Sequence, residues 1–501
     1  MRNKLFLALL VVAIMAIPAF ASVQNVKVSG DIETTFLVRD QFDFGSSVLG
    51  GSGGPERGVV KEWYQQLLIT QTRLNVAADL TDNVQAVVGL INERVWGEEE
   101  DDAGDTDVDL NLAYVKLREM LYSPLTVIVG RQNFKYGNSF IVDSAGPNNV
   151  TSTGNGLTAI AADLTKRTIL DAIRLILDYN PLTVELLAAK VDANNNGPYR
   201  PNDDDVDLYG ANATYNLGDN WQTVAEAYFF AKINRSAAIT PDDSTGAQVK
   251  PDTVYAPGLR ASTNPIKGLN VQGEIAWQLG NKASTSVTTG SGTDNIARHA
   301  LGAQFIANYM LPFEQIAKYS PVVTGVYTYV SGDPDSTGAG TSTAPGGGTP
   351  GTAYKDDYRG WDPMLENQAS GAVYNSLFDL SNVHIAMISS EFKPIEDITS
   401  KTSWTGIWLV EELNIQGDSC TTTAGQCGVV DFTHRTPTGT IVHQATTNKD
   451  VGHEIDTELM YAYTEDVDIG LSAGWFFPGQ FFSGHNNQVA SQFLAKLGVR
   501  F

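Results

Sequence analysis

The chain has 501 residues and a formal net charge of −24, from 33 Lys and Arg against 57 Asp and Glu, a balance that repels phosphate backbones and excludes nucleic acid as a partner. Hydrophobic residues make up 42% and charged residues 18%, with 47 Gly, 20 Phe, 19 Tyr and 8 Trp: too few charges for an ordinary soluble domain and too many aromatics for a disordered acidic chain. Two cysteines exclude a disulfide scaffold or a thiolate metal cluster, and a mean hydropathy of −0.14 excludes a bundle of membrane helices but not a membrane β-barrel.

In chain order, residues 1–21 come first. Arg2 and Lys4 precede an apolar run from Leu5 to Ile17, and Ala19-Phe20-Ala21 closes it. This is the charged start, short apolar stretch and small-residue site of a secretory signal peptide. The run is shorter than the ~20 residues of a spanning helix. The expected organisation is therefore a leader at 1–21 and one domain over 22–501. From 26–38 onward the chain alternates with period two. Residues 168–179 fit an amphipathic helix or a strand, and Ile169, Ile173, Leu175, Leu177 and Tyr179 favour the strand. At 269–279, Leu269, Val271, Ile275, Trp277 and Leu279 oppose Asn270, Gln272, Glu274 and Gln278. The same split separates Ile455, Leu459, Tyr461 and Tyr463 from Glu454, Asp456 and Glu458, and Phe493, Leu497, Val499 and Phe501 from Lys496 and Arg500.

Alternation alone does not separate a sandwich from a barrel. Connection lengths do. Short links at 80–83, 121–124, 180–181, 217–220, 264–268, 312–320, 394–400 and 464–466 alternate with long ones near 41–60, 97–107, 133–167, 192–205, 233–251, 280–294, 331–372, 413–451 and 478–491. Eight short and nine long links imply about 18 strands in an all-β, transmembrane antiparallel barrel, with short periplasmic turns and long extracellular loops. The terminal Phe501 ends an alternating strand that has to pair with the first to remove the edge. The loops at 133–167 and 331–372 are the ones expected to fold inward or over the mouth.

Several stretches resemble the alginate export family of outer-membrane β-barrels. They are Leu112-Ala113-Tyr114-Val115-Lys116-Leu117, Val129-Gly130-Arg131-Gln132, Tyr136-Gly137, Leu170-Asp171-Ala172-Ile173-Arg174, Gly452-His453-Glu454-Ile455-Asp456, Tyr461-Ala462-Tyr463 and Phe476-Phe477-Pro478-Gly479. Their order covers most of the chain after the leader, and the resemblance implies an 18-stranded outer-membrane pore. An exporter of an anionic polysaccharide is best served by a lumen ringed with Arg and Lys. Here parity turns Arg73, Arg174, Arg298, Lys496 and Arg500 inward together with Asp178, Glu185, Glu226, Glu274, Glu454, Asp456 and Glu458, while Arg131 is not placed by parity. That mixed, slightly acidic lining suits small neutral or cationic solutes at least as well.

Opposed lumen charges set a transverse field that selects solutes, and Arg131, Arg174, Glu454, Asp456 and Glu458 are the foremost constriction candidates. The alternative is that they are wall residues paired with neighbours. Trp404, Trp408, Tyr461, Tyr463, Trp475 and Phe477 suit interfacial girdles. The acidic runs at 98–102 with Asp105, Asp107 and Asp109, and at 203–205, lack the spacing of a Ca²⁺ loop and read as solvated loop. Cys420 and Cys427 would pair in an oxidising exterior and staple a loop. The six His carry no local catalytic motif, so no enzyme activity, cofactor or metal is expected. The expected partners are outer-membrane lipid and lipopolysaccharide and a small-molecule or saccharide solute. Passive passage of small hydrophilic solutes is the leading reading. Export of an alginate-like polysaccharide with periplasmic partners comes second, and a structural or adhesive surface barrel third.

Overall fold

The computed structural model describes residues 25–42, 44, 64–97, 108–145, 161–168, 170–193, 205–235, 251–282, 296–333, 357–368, 370–412, 448–482 and 488–501. The leader expected at 1–21, the acidic residues 98–107 and 203–204, and Cys420 and Cys427 with their expected disulfide lie outside these residues.

Eighteen strands follow one another: β1 (Asn25–Asp40), β2 (Tyr64–Thr81), β3 (Val84–Val95), β4 (Asp109–Leu117), β5 (Leu125–Arg131), β6 (Asp171–Asp178), β7 (Leu182–Asp192), β8 (Val206–Asn216) and β9 (Val224–Asn234). The second half holds β10 (Asp252–Ile266), β11 (Leu269–Lys282), β12 (Ile296–Met310), β13 (Val322–Val330), β14 (Val383–Ile395), β15 (Ile398–Leu409), β16 (Asp450–Ala462), β17 (Val467–Pro478) and β18 (Ala490–Arg500). Each pairs antiparallel with the next, and β18 returns to β1 with Asp31 opposite Arg500 and Asp40 opposite Ser491. The sheet is a closed barrel with no free edge. The eight short links fall at one end and the long ones at the other, as the connection lengths imply, and 171–178 is a strand.

Burial along the strands is the reverse of a soluble sheet. On β11, Trp277 and Leu279 are both 42% exposed, whereas Glu274, Ala276 and Gln278 on the opposite face are 5%, 0% and 0% exposed. Large apolar side chains point out, while the inner face carries the polar ones together with a subset of apolar residues, such as Ala276 and Phe476, that are buried inside. The apolar core therefore lies within the barrel, where Phe42, Phe44, Phe134, Phe140, Trp361, Tyr374, Phe378 and Phe476 meet the inner wall toward the long-loop end.

Closure is completed by the last residue. The Gly30 N–H donates to the Phe501 carbonyl at 2.8 Å and the Phe501 N–H donates back at 3.0 Å. A Cβ at position 30 would stand 2.7 Å from the Phe501 ring and 2.6 Å from the Arg73 carbonyl, so only glycine admits this approach. Deleting Phe501 removes two hydrogen bonds, a loss of about 1–3 kcal/mol at the seam. The expected result is a several-fold smaller heat-modifiable fraction on a gel, and a normal fraction would show that the seam closes without it.

Candidate lumen constriction

Two of the long connections turn into the barrel. After β5, residues 132–145 carry Phe134, Tyr136, Phe140, Ile141 and Val142, all buried. A solvated loop gains nothing from such residues, and the barrel interior is the one place that removes them from water. After β13, residues 357–368 and 370–382 lie against this segment. The Asp143 N–H donates to the Leu365 carbonyl at 2.8 Å, the Asn367 N–H donates to the Ser139 carbonyl at 2.9 Å, and Phe140 stacks on Trp361 at 5.5 Å. A single helical turn, α1 (Tyr374–Leu377), then packs Tyr374 and Phe378 beside Phe476 of β17.

Polar side chains of the wall hold these segments. Asp362 receives Lys232 Nζ at 2.5 Å, and its other carboxylate oxygen lies 3.9 Å from Arg298. Gln278 brackets the Asp362 backbone, donating to its carbonyl at 2.6 Å and accepting its N–H at 2.8 Å. Burial alone would push the Asp362 carboxyl up, but the Lys232 and Arg298 charges outweigh it and hold the group well below the usual carboxylate range. Arg298, only 1% exposed, also donates to Asp252 at 2.9 Å. Glu454, fully buried, accepts the N–H groups of Val373 and Tyr374 at 2.7 and 2.8 Å and so caps the start of α1. Asp456, two residues on and on the same face, accepts from Ser403 at 3.4 Å.

The tip of the first segment sits between two ion pairs. Arg174 donates to Glu185 at 2.5 Å, lies over the Phe134 ring at 5.1 Å, and shares Glu185 with the Tyr136 hydroxyl at 3.3 Å. Arg260 pairs with Glu226 and donates to Asn138 at 3.0 Å, while the Tyr228 hydroxyl donates to Glu274 at 2.8 Å. Gly137 turns here with φ +54°, and a Cβ on it would stand 3.0 Å from Arg260 and 3.2 Å from Glu274. Glycine supplies both the left-handed turn and the room.

A second charged zone lies on β1 to β4. Arg73 donates to Asp31 at 2.8 Å, Lys166 stands 3.0 Å from Glu33, and Arg167 reaches Glu93 at 3.1 Å and Asp109 at 2.5 Å. Residues 161–168 bring Lys166 and Arg167 to this wall, and the buried Arg39 anchors them through Asp163.

The structure puts Arg73, Arg174, Glu185, Glu226, Glu274, Arg298, Glu454, Asp456 and Glu458 on the inner face. Glu458 is exposed to the lumen, whereas Glu274, Arg298 and Glu454 are buried under the inward segments. Arg131 is a correction to the constriction set. Its register partners are Ala113 and Asp171, its neighbour two residues back, Val129, is 45% exposed, and it bonds Asp171 at 2.8 Å on the outer face. The sequence LTVIVGR of β5 is apolar at both parities and hides which face Arg131 takes. Lys232, Arg260, Asp362, Lys166 and Arg167 were not singled out by sequence. The dense aromatic and aliphatic residues of 134–142, out of place in a solvated loop, are the signal that marks an inward segment. Trp404, Trp475, Tyr461, Tyr463 and Phe477 are exposed, the strand residues among them on the outer face.

A closed antiparallel barrel with an apolar exterior, short links at one end and charged side chains inside is an outer-membrane β-barrel channel. The family model for alginate export matches residues 54–495, and the chain belongs to that family. Its fold is similar to Pseudomonas aeruginosa OccK11 (OpdR), with TM-score 0.51, 10% identity and 96% of each chain covered. It is also similar to OpdO of the same organism, with TM-score 0.50, 10% identity and 96% and 98% covered, and to OpdK with vanillate, with TM-score 0.50, 9% identity and 96% and 99% covered. No curated protein matches the chain in sequence.

Replacing Asp362 by Ala leaves Lys232 and Arg298 facing each other across one fewer carboxylate, an expected loss of about 3 kcal/mol in the attachment of the second segment. Single-channel conductance should rise, and an unchanged value would show that apolar packing alone holds the segment. Because the Asp362 carboxyl is depressed from its ordinary 3.8, its contribution is complete above that value and is lost only as pH falls through the lower folded one. The attachment through Asp362 should therefore make no contribution to any conductance change between about pH 8 and about pH 4, so titration curves of wild type and Asp362→Ala should run parallel there, and curves that diverge inside that window would contradict this assignment.

Proposed function

We propose that this channel passes small hydrophilic solutes by diffusion along a narrow, mixed-charge lumen. The observation that carries the reading is that inward segments pack inside the barrel toward the long-loop end and are pinned to the wall at several places, by Lys232 and Arg298 on Asp362, Arg260 on Asn138 and Glu454 on α1. Buried polar anchors of this kind are costly to break, which favours a fixed aperture that sorts small solutes over a wide conduit for a polymer. Where solvent reaches the wall, acids and bases stand side by side: Asp31 with Arg73, Glu33 with Lys166, and Asp468 with Arg500 at 2.8 Å. Such pairing gives a transverse field with little net preference for either ion sign.

The family description favours export of an anionic polysaccharide as the second reading, working with periplasmic partner proteins. The two readings part in a planar bilayer. A diffusion channel gives steady conductance from the purified chain alone and is blocked by small solutes. An exporter that opens only with its partners is silent alone. Among the candidate charges, Glu458 is the exposed one, so Glu458→Gln tests lumen selectivity without disturbing an anchor. It should shift the reversal potential under a salt gradient toward less cation preference by a few millivolts, on the order of what one partly screened charge can do. No shift would show that Glu458 takes no part in selecting ions.

A further inference from the structure

The lower inner wall of β10 to β12 has a different character from the ionic wall opposite. Arg260 donates to Gln272 at 2.8 Å, Gln272 donates to Asn270 at 2.7 Å, Asn270 donates to Asn264 at 2.9 Å, and Asn264 donates to Gln222 at 3.3 Å. Every carboxamide in this run points the same way, starting from a cation and ending at the short-turn rim. Asn308 lies directly opposite Asn270 in the β11–β12 register and accepts from Thr324 at 2.8 Å. The run borders a recess of about 630 Å³ at the short-turn mouth. Trp221, 56% exposed, stands at its edge, and Lys267 is the only charged side chain among the described residues that line it.

Each carboxamide has two N–H donors and two acceptor lone pairs. The relay uses one donor and one lone pair of Gln272 and of Asn264, so both functions remain on these residues for a passing solute. A surface that presents donors and acceptors alternately, without formal charge, matches hydroxyl groups, which need both. A carboxylate is served by donors alone and a metal cation by acceptors alone. The exposed indole adds a flat apolar face of the kind a sugar ring covers. These side chains are half-exposed, so satisfying buried groups does not account for their polarity.

We infer that this amide track is a docking step for uncharged hydroxylated solutes, of the sugar or polyol class, at the short-turn end of the pore. The inference rests on the channel reading above and names one class of solute for it.

The test uses the purified full-length chain in a planar bilayer, with glucose, sorbitol or glucuronate added on the short-turn side. Glucose and sorbitol should block the KCl current in a concentration-dependent way. Asn264→Ala should raise the half-blocking glucose concentration about three- to fivefold, as expected for one lost hydrogen bond of ordinary strength, with little change in KCl conductance. If that variant fails to show a heat-modifiable barrel, the near-isosteric Asn264→Asp still accepts from Asn270 and should weaken glucose block in the same direction. Glucose block unchanged in the folded variants overturns the inference, and so does glucuronate block that is as strong as glucose block and equally weakened. A wild-type current that neither glucose nor sorbitol affects overturns the track and leaves the channel reading standing. A silent wild-type barrel overturns the channel reading itself.

Discussion

A strand within a bilayer has no water to satisfy its amides and carbonyls, so each has to find a partner on a neighbouring strand. Everything else in this molecule depends on that constraint. It requires the first and last strands to meet, which they do from Asp31–Arg500 to Asp40–Ser491, with Gly30 and Phe501 exchanging the final pair of hydrogen bonds. Once the sheet is closed, alternation sends every second side chain outward to lipid and the rest inward, so the barrel is apolar outside and carries its polar side chains within. A closed sheet of eighteen strands is too wide for wall side chains alone to fill, and the interior is left for the connections to shape.

The connections do so by an unusual division of labour. Apolar residues of the inward segments, such as Phe140, Trp361 and Leu365, gather as a core would, against a wall whose inner face mixes apolar residues such as Phe230, Ile385 and Phe476 with buried polar ones. The wall answers with paired charges and carboxamides placed where the segments present backbone or opposite charge. Glu454 takes two amides at the start of a helical turn, Gln278 takes both backbone groups of Asp362, and Arg298 is shared between the wall carboxylate Asp252 and the segment carboxylate Asp362. In a buried setting such groups are expensive to leave unpaired. The same side chains thus fix the aperture and specify where the segments lie.

Much of the wall was legible in the sequence. Period-two alternation assigned Arg73, Arg174, Glu226, Glu274, Arg298 and Glu454 to the inner face because side-chain direction in a strand is strictly local. The strand number followed from connection lengths for a related reason, since antiparallel neighbours at one end need only short turns. Arg131 escaped because β5 is apolar on both faces and gives parity nothing to read. What the inner charges do was also out of reach. Glu454 meets Val373 and Tyr374, and Lys232 meets Asp362, across 81, 80 and 130 positions in the chain. No local pattern records which loop will arrive above a given wall residue. Resemblance to the alginate export family carried the class of protein, and the family match confirms it, while the solute is a matter of the lumen's own chemistry.

The central claim is that the inward segments are fixed parts of the pore and not loose loops resting in it. Hydrogen–deuterium exchange of the full-length barrel in detergent or nanodiscs tests this most directly. The amides of Val373, Tyr374, Asp143 and Asp362 should exchange as slowly as those in the middle of β11 and β12, because each is bonded inside the lumen. Exchange of those four amides at the rate of open loops would contradict the account.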